Sequence, residues 1–84
     1  MISRDIIYRV IDSERNYQDL KWGNPEHDKN ESVGNFLIYI ERYLNHAKNA
    51  YIDANHEIEA LARVRQIAAL AVACMEQHGA PHRI

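Results

Sequence analysis

The chain has 84 residues, 46% of them hydrophobic and 26% charged, with 10 basic and 12 acidic side chains and a net charge of −2. That length gives one domain over residues 1–84, which buries roughly 64% of its unfolded surface and is marginal as a lone monomer. The charge balance excludes a generally basic nucleic-acid-coating protein and a disordered acidic tail, and the single cysteine, Cys74, excludes an intrachain disulfide framework or a Cys-rich zinc site.

The pattern predicts an all-α protomer of three helices, at about residues 3–22, 32–55 and 56–78. The opening residues, Met1 to Asp5, are polar with an early acid, unlike a secretory signal. In the first helix Ser3 is the expected N-cap and Asp5 suits the positive end of the helix dipole. Ile6, Ile7, Val10, Ile11, Tyr17 and Leu20 recur near helical spacing and form an apolar stripe. Gly23, Asn24 and Pro25 end the helix. A polar loop through Glu26, His27, Asp28, Lys29 and Asn30 follows, and Ser32 is the expected N-cap of the second helix.

The second helix carries a stripe of Val33, Phe36, Leu37, Ile40, Leu44, Ala47 and Tyr51 for burial, with Glu41, Arg42, Asn45, Lys48 and Asn49 outside. The third is amphipathic at first, with Ile58, Leu61 and Val64 inside. From Ile67 to Met75 it is apolar all round, which asks for cover on every side. Two neighbouring helices cannot supply that cover, so a homodimer or higher homo-oligomer with the third helix at its interface is expected. The apolar run is about half the roughly twenty residues of a membrane span; the expected setting is cytoplasmic, without membrane contact.

Chemistry-bearing patterns are sparse. Carboxylates converge on a cation when they stand three or four apart on a helix. Only Asp28 and Glu31, and Asp53 and Glu57, have that spacing, and all four read as solvated surface groups. The five histidines lack a zinc-ligand spacing, and Cys74 reads as a buried, inert thiol. The end of the first helix is denser. Glu14, Gln18 and Lys21 share one face, and Arg15, Asp19 and Trp22 the next. This segment is either a salt-linked exposed helix capped by a packing tryptophan or a ligand shelf. As a shelf, Trp22 or Tyr17 would stack on a base, Gln18 would read its edge, and Lys21 and Arg15 would hold phosphate. The start of the second helix offers free N–H groups at Ser32, Val33 and Gly34 for an anion. Arg42, Arg63 and Arg65 would approach one level if the second and third helices pack antiparallel, giving a basic pocket for phosphate; the plainer reading pairs each with a surface acid.

The stretch Glu14-Arg15-Asn16-Tyr17-Gln18-Asp19-Leu20-Lys21-Trp22-Gly23 resembles the ERxRQDxKWG segment of short phage and prophage proteins related to the MazG-like, all-α nucleoside-triphosphate pyrophosphohydrolases. Arg65-Gln66-Ile67-Ala68-Ala69-Leu70-Ala71-Val72-Ala73 is similar to the helix those proteins write as LVQVAAVAVA. The resemblance implies a helical oligomer. In the active family it also implies Mg²⁺, held by an ExxE pair on one helix and an ExxD pair on the next, and hydrolysis of nucleoside triphosphates to monophosphates and pyrophosphate. The matching stretches here, Arg42-Tyr43-Leu44-Asn45 and Arg63-Val64-Arg65-Gln66, have no acid at either end.

Guanidinium groups hold phosphate without a cation. The expected function is therefore a catalytically silent helical oligomer that binds a nucleotide or nucleotide-derived signal without a cofactor, in a phage setting to blunt host defence. Its ligand-binding residues would be Arg15, Gln18, Lys21, Trp22, Arg42 and Arg63. Two alternatives stand beside it. One is an Mg²⁺-dependent pyrophosphohydrolase that assembles acids such as Glu41 or Glu57 across subunits. The other is a structural or adaptor dimer that binds a host protein. Nucleic acid is disfavoured as a partner by the net charge.

Overall fold

In the computed structural model every residue but Asn24 is described, and of Pro25 and His27 only the backbone. Readings that rest on Asn24 or on the His27 side chain lie outside the described residues. Those residues form three long helices, α1 (Arg4–Trp22), α3 (Val33–Ala54) and α4 (Glu57–His78), with a single helical turn, α2 (Pro25–Asp28), in the segment expected to be loop; they include no strand. The long helices match the expected bounds to within a residue at each end.

The caps explain those bounds. Ser3 Oγ accepts from the Ile6 N–H at 3.3 Å and Ser32 Oγ from the Asn35 N–H at 3.0 Å, each satisfying one orphan donor of a first turn. At the end of α1, Gly23 takes a left-handed conformation (φ 94°, ψ 23°), which a glycine adopts without steric cost. At the α3–α4 joint Asn55 does the same (φ 53°, ψ 36°), and the His56 N–H reaches back to the Ala50 carbonyl at 3.0 Å. Asparagine is among the few non-glycine residues that tolerate this geometry.

The two-residue joint folds α4 back antiparallel on α3. Phe36 stands edge-on to His78, and the Arg63 guanidinium lies over the Tyr43 ring. The core of the pair is small: Phe36 and Ala47 from α3, and Ala69, Leu70 and Ala73 from α4. Helix α1 packs on α4 as well, along a different face from α3, so α4 is the middle helix of the three.

The α1–α4 contact differs from the expectation. The apolar stripe of α1 is largely outside: Ile6, Ile7, Val10, Tyr17 and Leu20 are all exposed, Leu20 at 86%. The buried residues of α1 are Glu14, Arg15 and Gln18. The reason lies in what α4 offers that flank. Arg65 Nε donates to Glu14 at 2.6 Å, and Arg15 Nε donates to Glu76 at 2.7 Å. Arg15 further meets Asp19 at 2.8 Å and Asp28 of α2 at 3.6 Å, with Gln18 Oε1 3.5 Å from its Nη1. A buried charge is tolerated only when paired and hydrogen-bonded, and Arg15 is. Among the described residues no buried side-chain nitrogen or oxygen lacks a partner. The expected solvated Asp28 is therefore corrected: it is buried, drawn in by Arg15. Cys74 is corrected too, being half-buried rather than enclosed.

Burial works against the charge on Arg15, but its hydrogen bonds to Glu76 and Asp19 and their negative charge more than compensate, raising its pKa above the ordinary arginine value. Removing one partner of a buried ionic cluster leaves the others uncompensated, at a cost of about 3 kcal/mol. Arg15→Ala is therefore expected to lower the melting temperature by more than about 10 °C in a calorimetric scan. Arg15→Lys should recover only part of this, because an ammonium lacks the planar fork that serves several carboxylates at once. An Arg15→Ala protein that melts with the wild type would contradict this account of the contact.

Candidate nucleotide-binding cavity

The end of α1, the α2 turn and the first half of α3 enclose a cavity of about 300 Å³ against Leu70 of α4. Its lining combines four aromatic rings, Trp22, Phe36, Tyr39 and Tyr43, with Arg42, Asp28 and Glu31. That volume is at the lower end of small-molecule sites, which are mostly apolar with a few convergent polar groups. Sequence spacing explains the α3 wall. Phe36, Tyr39 and Tyr43 follow one another at three and four residues and so fall on one side of the helix, and Arg42 follows Tyr39 by three. Trp22 arrives from the last residue of α1, turned toward α2 by the left-handed Gly23.

The loop wall is pinned by side chains. Glu31 Oε2 accepts from Asn35 Nδ2 at 2.8 Å and from the Tyr39 hydroxyl at 3.1 Å. His78 Nε2 lies 2.8 Å from the Glu31 carbonyl oxygen. A carbonyl only accepts, so that ring nitrogen carries the hydrogen. At the start of α3, beside the Ser32, Val33 and Gly34 N–H groups expected to suit an anion, the Ser32 hydroxyl accepts from the Asn35 N–H and the Glu31 carboxylate takes up the Asn35 side-chain amide.

The six expected ligand residues are scattered. Trp22 and Arg42 line the cavity. Arg15 and Gln18 are buried in the α1–α4 contact, at 5% and 3% exposure, where carboxylates take up the guanidinium. Lys21 is exposed, with its ammonium 5.8 Å from the centroid of the Trp22 ring. Arg63 lies over Tyr43 on the flank toward α3, its Nη1 donating to Gln66 at 3.1 Å. Within the protomer Arg42, Arg63 and Arg65 do not converge on one pocket. Residues two apart on a helix diverge by about 200°, so Arg63 faces Tyr43 while Arg65 faces Glu14. Tyr17, the other stacking candidate, lines a wide cleft between α1 and α4 with Ile6, Val10 and Arg65, away from Trp22.

Six lining residues were not among the expected ligand residues: Asp28, Glu31, Phe36, Tyr39, Tyr43 and Leu70. The two tyrosines were legible as neighbours of Arg42 at one and three residues. Asp28 was hidden because its pairing with Arg15 spans two elements and leaves no mark in the local sequence. Arg42 makes no ion pair or hydrogen bond among the described residues, so its donors face the cavity and solvent uncommitted.

The two stretches aligned with the family's metal-binding pairs do not fit Mg²⁺. Arg42, Asn45, Arg63 and Gln66 offer guanidinium and amide groups, whereas a hard dication takes oxygen ligands dominated by carboxylates. Among the described residues, no group of three or more His, Cys, Asp or Glu is arranged to hold a metal ion, and no helix is long and apolar enough to cross a membrane. Comparison with protein-family models, curated proteins and solved structures finds no match to the chain.

The Tyr39 phenol donates to the Glu31 carboxylate, and this, with burial and the charge of Glu31, raises its pKa above the ordinary 10.0 despite the opposing Arg42 charge. A raised phenol pKa means the bond stabilises the fold fully below pH 10.0 and is lost as pH rises through the folded-state value. In an ultraviolet titration, the difference between wild type and Tyr39→Phe should give a phenol ionising above 10.0. Glu31→Gln should bring it back toward 10.0, and a Tyr39 that titrates at the ordinary value in wild type would refute the contact.

Proposed function

We propose that this chain is a non-catalytic helical oligomer that binds a nucleotide or nucleotide-derived signal in the cavity between Trp22 and Arg42. The observation that carries this reading is one cavity in which an uncommitted guanidinium stands among four aromatic rings. Aromatic faces stack on a base whatever its sequence identity, at about 1–3 kcal/mol per base, and a guanidinium fork matches phosphate oxygens bidentately. Trp22 and Tyr43 supply the faces and Arg42 the phosphate contact. Retention of a nucleotide without turnover would suit a sequestering protein of the host cytoplasm, encoded by a phage to blunt a nucleotide-signalled defence, in line with the resemblance of the Glu14 to Gly23 segment.

Binding stabilises the native state by about 2.7 kcal/mol at a ligand concentration one hundred times Kd, about 10 °C or more for a chain of this size. Thermal-shift screening of mono-, di-, tri- and cyclic nucleotides without Mg²⁺ should find at least one such shift. It should be accompanied by a change in the fluorescence of Trp22, the chain's one tryptophan, and be removed by Arg42→Ala. Silence across the panel would overturn nucleotide binding. Pyrophosphate released when Mg²⁺ is added to the same samples would overturn the non-catalytic part and favour the hydrolase.

A further inference from the structure

We infer that the cleft between α1 and α4 is a second ligand site, built to take an organic phosphate ester. The cleft has a volume of about 790 Å³ and shares no lining residue with the cavity beside Trp22. Its size lies in the upper part of the range for small-molecule sites. The assignment does not rest on the nucleotide reading of the first cavity.

Sequence spacing builds the α1 wall. Ile6, Val10, Ser13 and Tyr17 follow one another at four, three and four residues and so run along one side of the helix, with Arg9 one turn before Ser13. The α4 wall carries Arg65 and Gln66. Two guanidinium groups therefore line one space from different helices, and both keep donors to spare. Arg9 is exposed, and among the described residues it makes no hydrogen bond or ion pair, although Asp5 and Asp12 stand one turn to either side. Arg65 gives its Nε to Glu14 at 2.6 Å, and its four other N–H donors have no protein partner among the described residues. Glu14 is only 7% exposed, so the guanidinium is tied to a carboxylate that is itself fixed in the α1–α4 contact. That tie presents the free edge of the fork in one orientation. Glu14 stands five residues from Arg9, about 7.5 Å of helix, a gap that one small ligand spans.

The donors and the wall beside them select the ligand. Two positive charges against one negative line the cleft, so an anion is favoured. A carboxylate presents two oxygens in one plane. A phosphate presents three around a tetrahedral centre and so accepts from forks on two walls at once. The Ser13 hydroxyl adds a further donor. Ile6, Val10 and the Tyr17 ring, all exposed, form an apolar strip beside these donors. A bare phosphate ion would leave that strip in water, whereas the organic part of an ester covers it.

The test is a nitrogen–proton NMR titration of the full chain with phenyl phosphate, adenosine 5′-monophosphate and inorganic phosphate. At least one ester should shift the amide signals of Arg9, Ser13, Tyr17 and Arg65, with inorganic phosphate binding about tenfold or more weakly. Arg9→Gln should weaken the ester about tenfold or more, as one charge-assisted contact is lost. Tyr17→Ala should weaken the ester and leave inorganic phosphate unchanged, because the ring serves only the organic part. Both residues are exposed, so neither substitution opens a buried contact. Arg42→Ala, which removes the phosphate contact of the first cavity, should give the same shifts in this cleft. Tighter binding of phenyl phosphate would mark the strip as a site for a plain apolar group, and tighter binding of the nucleotide as a site for a base. Ester binding that perturbs only Trp22 and Arg42, or that Arg9→Gln leaves unchanged, overturns the inference while sparing the first cavity. So does the absence of any shift at these residues with both esters at millimolar concentration.

Discussion

A single guanidinium, that of Arg15, decides how the first third of this chain attaches to the rest. It is almost wholly withdrawn from water and meets Asp19 of its own helix, Asp28 of the following turn and Glu76 near the end of α4. An arginine can serve three carboxylates because its five donors lie in a fixed planar fork. Burial opposes the charge and the carboxylates restore it, so α1 is held by an electrostatic clamp and by the parallel Glu14–Arg65 pair more than by apolar packing. The inverted amphipathicity of α1, polar inward and apolar outward, follows from that clamp.

The cavity inherits its shape from the same cluster. Asp28 belongs to the one-turn helix that walls the cavity, and its tie to Arg15 fixes that turn against α1. Two residues beyond Glu76, His78 holds the Glu31 carbonyl, and the Glu31 carboxylate gathers Asn35 and Tyr39. The last turn of α4 thus holds this segment twice, through Glu76 by way of the Arg15 guanidinium that pairs with Asp28, and directly through the His78 imidazole. A segment with only one helical turn of its own becomes a wall because Asp28 is paired with Arg15 of α1 and the Glu31 carbonyl accepts from His78 of α4. The aromatic side chains of α3 and Trp22 then meet across a gap instead of collapsing on one another.

The helices were legible because their signals are local. Ser3 and Ser32 as caps, Gly23 as a stop and the run from Ile67 to Met75 each act within one or two turns, and each holds in the structure. Trp22 and Arg42 were singled out from their chemistry, and both line the cavity. The role of Arg15 was not, because its decisive partner Glu76 lies 61 residues away and nothing near Arg15 marks it. The outward stripe of α1 misled for the same reason. Periodicity reports that a helix has an apolar face, not which neighbour that face meets, and here the neighbour offered Arg65 and Glu76. The reading of Asp28 as solvated failed one step later, since its burial depends on Arg15 being buried first.

The joint at Asn55 and His56 carries a consequence for how the chain reaches its final form. Closing two helices through a two-residue link costs little chain entropy, whereas the Arg15–Glu76 and Glu14–Arg65 pairs close loops of 61 and 51 residues. The α3–α4 hairpin is thus the natural early unit, assembled from neighbouring sequence, and α1 is the late arrival. Its attachment rests on ion pairs, the exposed ones among them weakened by dissolved salt. Ionic strength then acts unevenly along the chain, loosening its leading helix before it touches the hairpin.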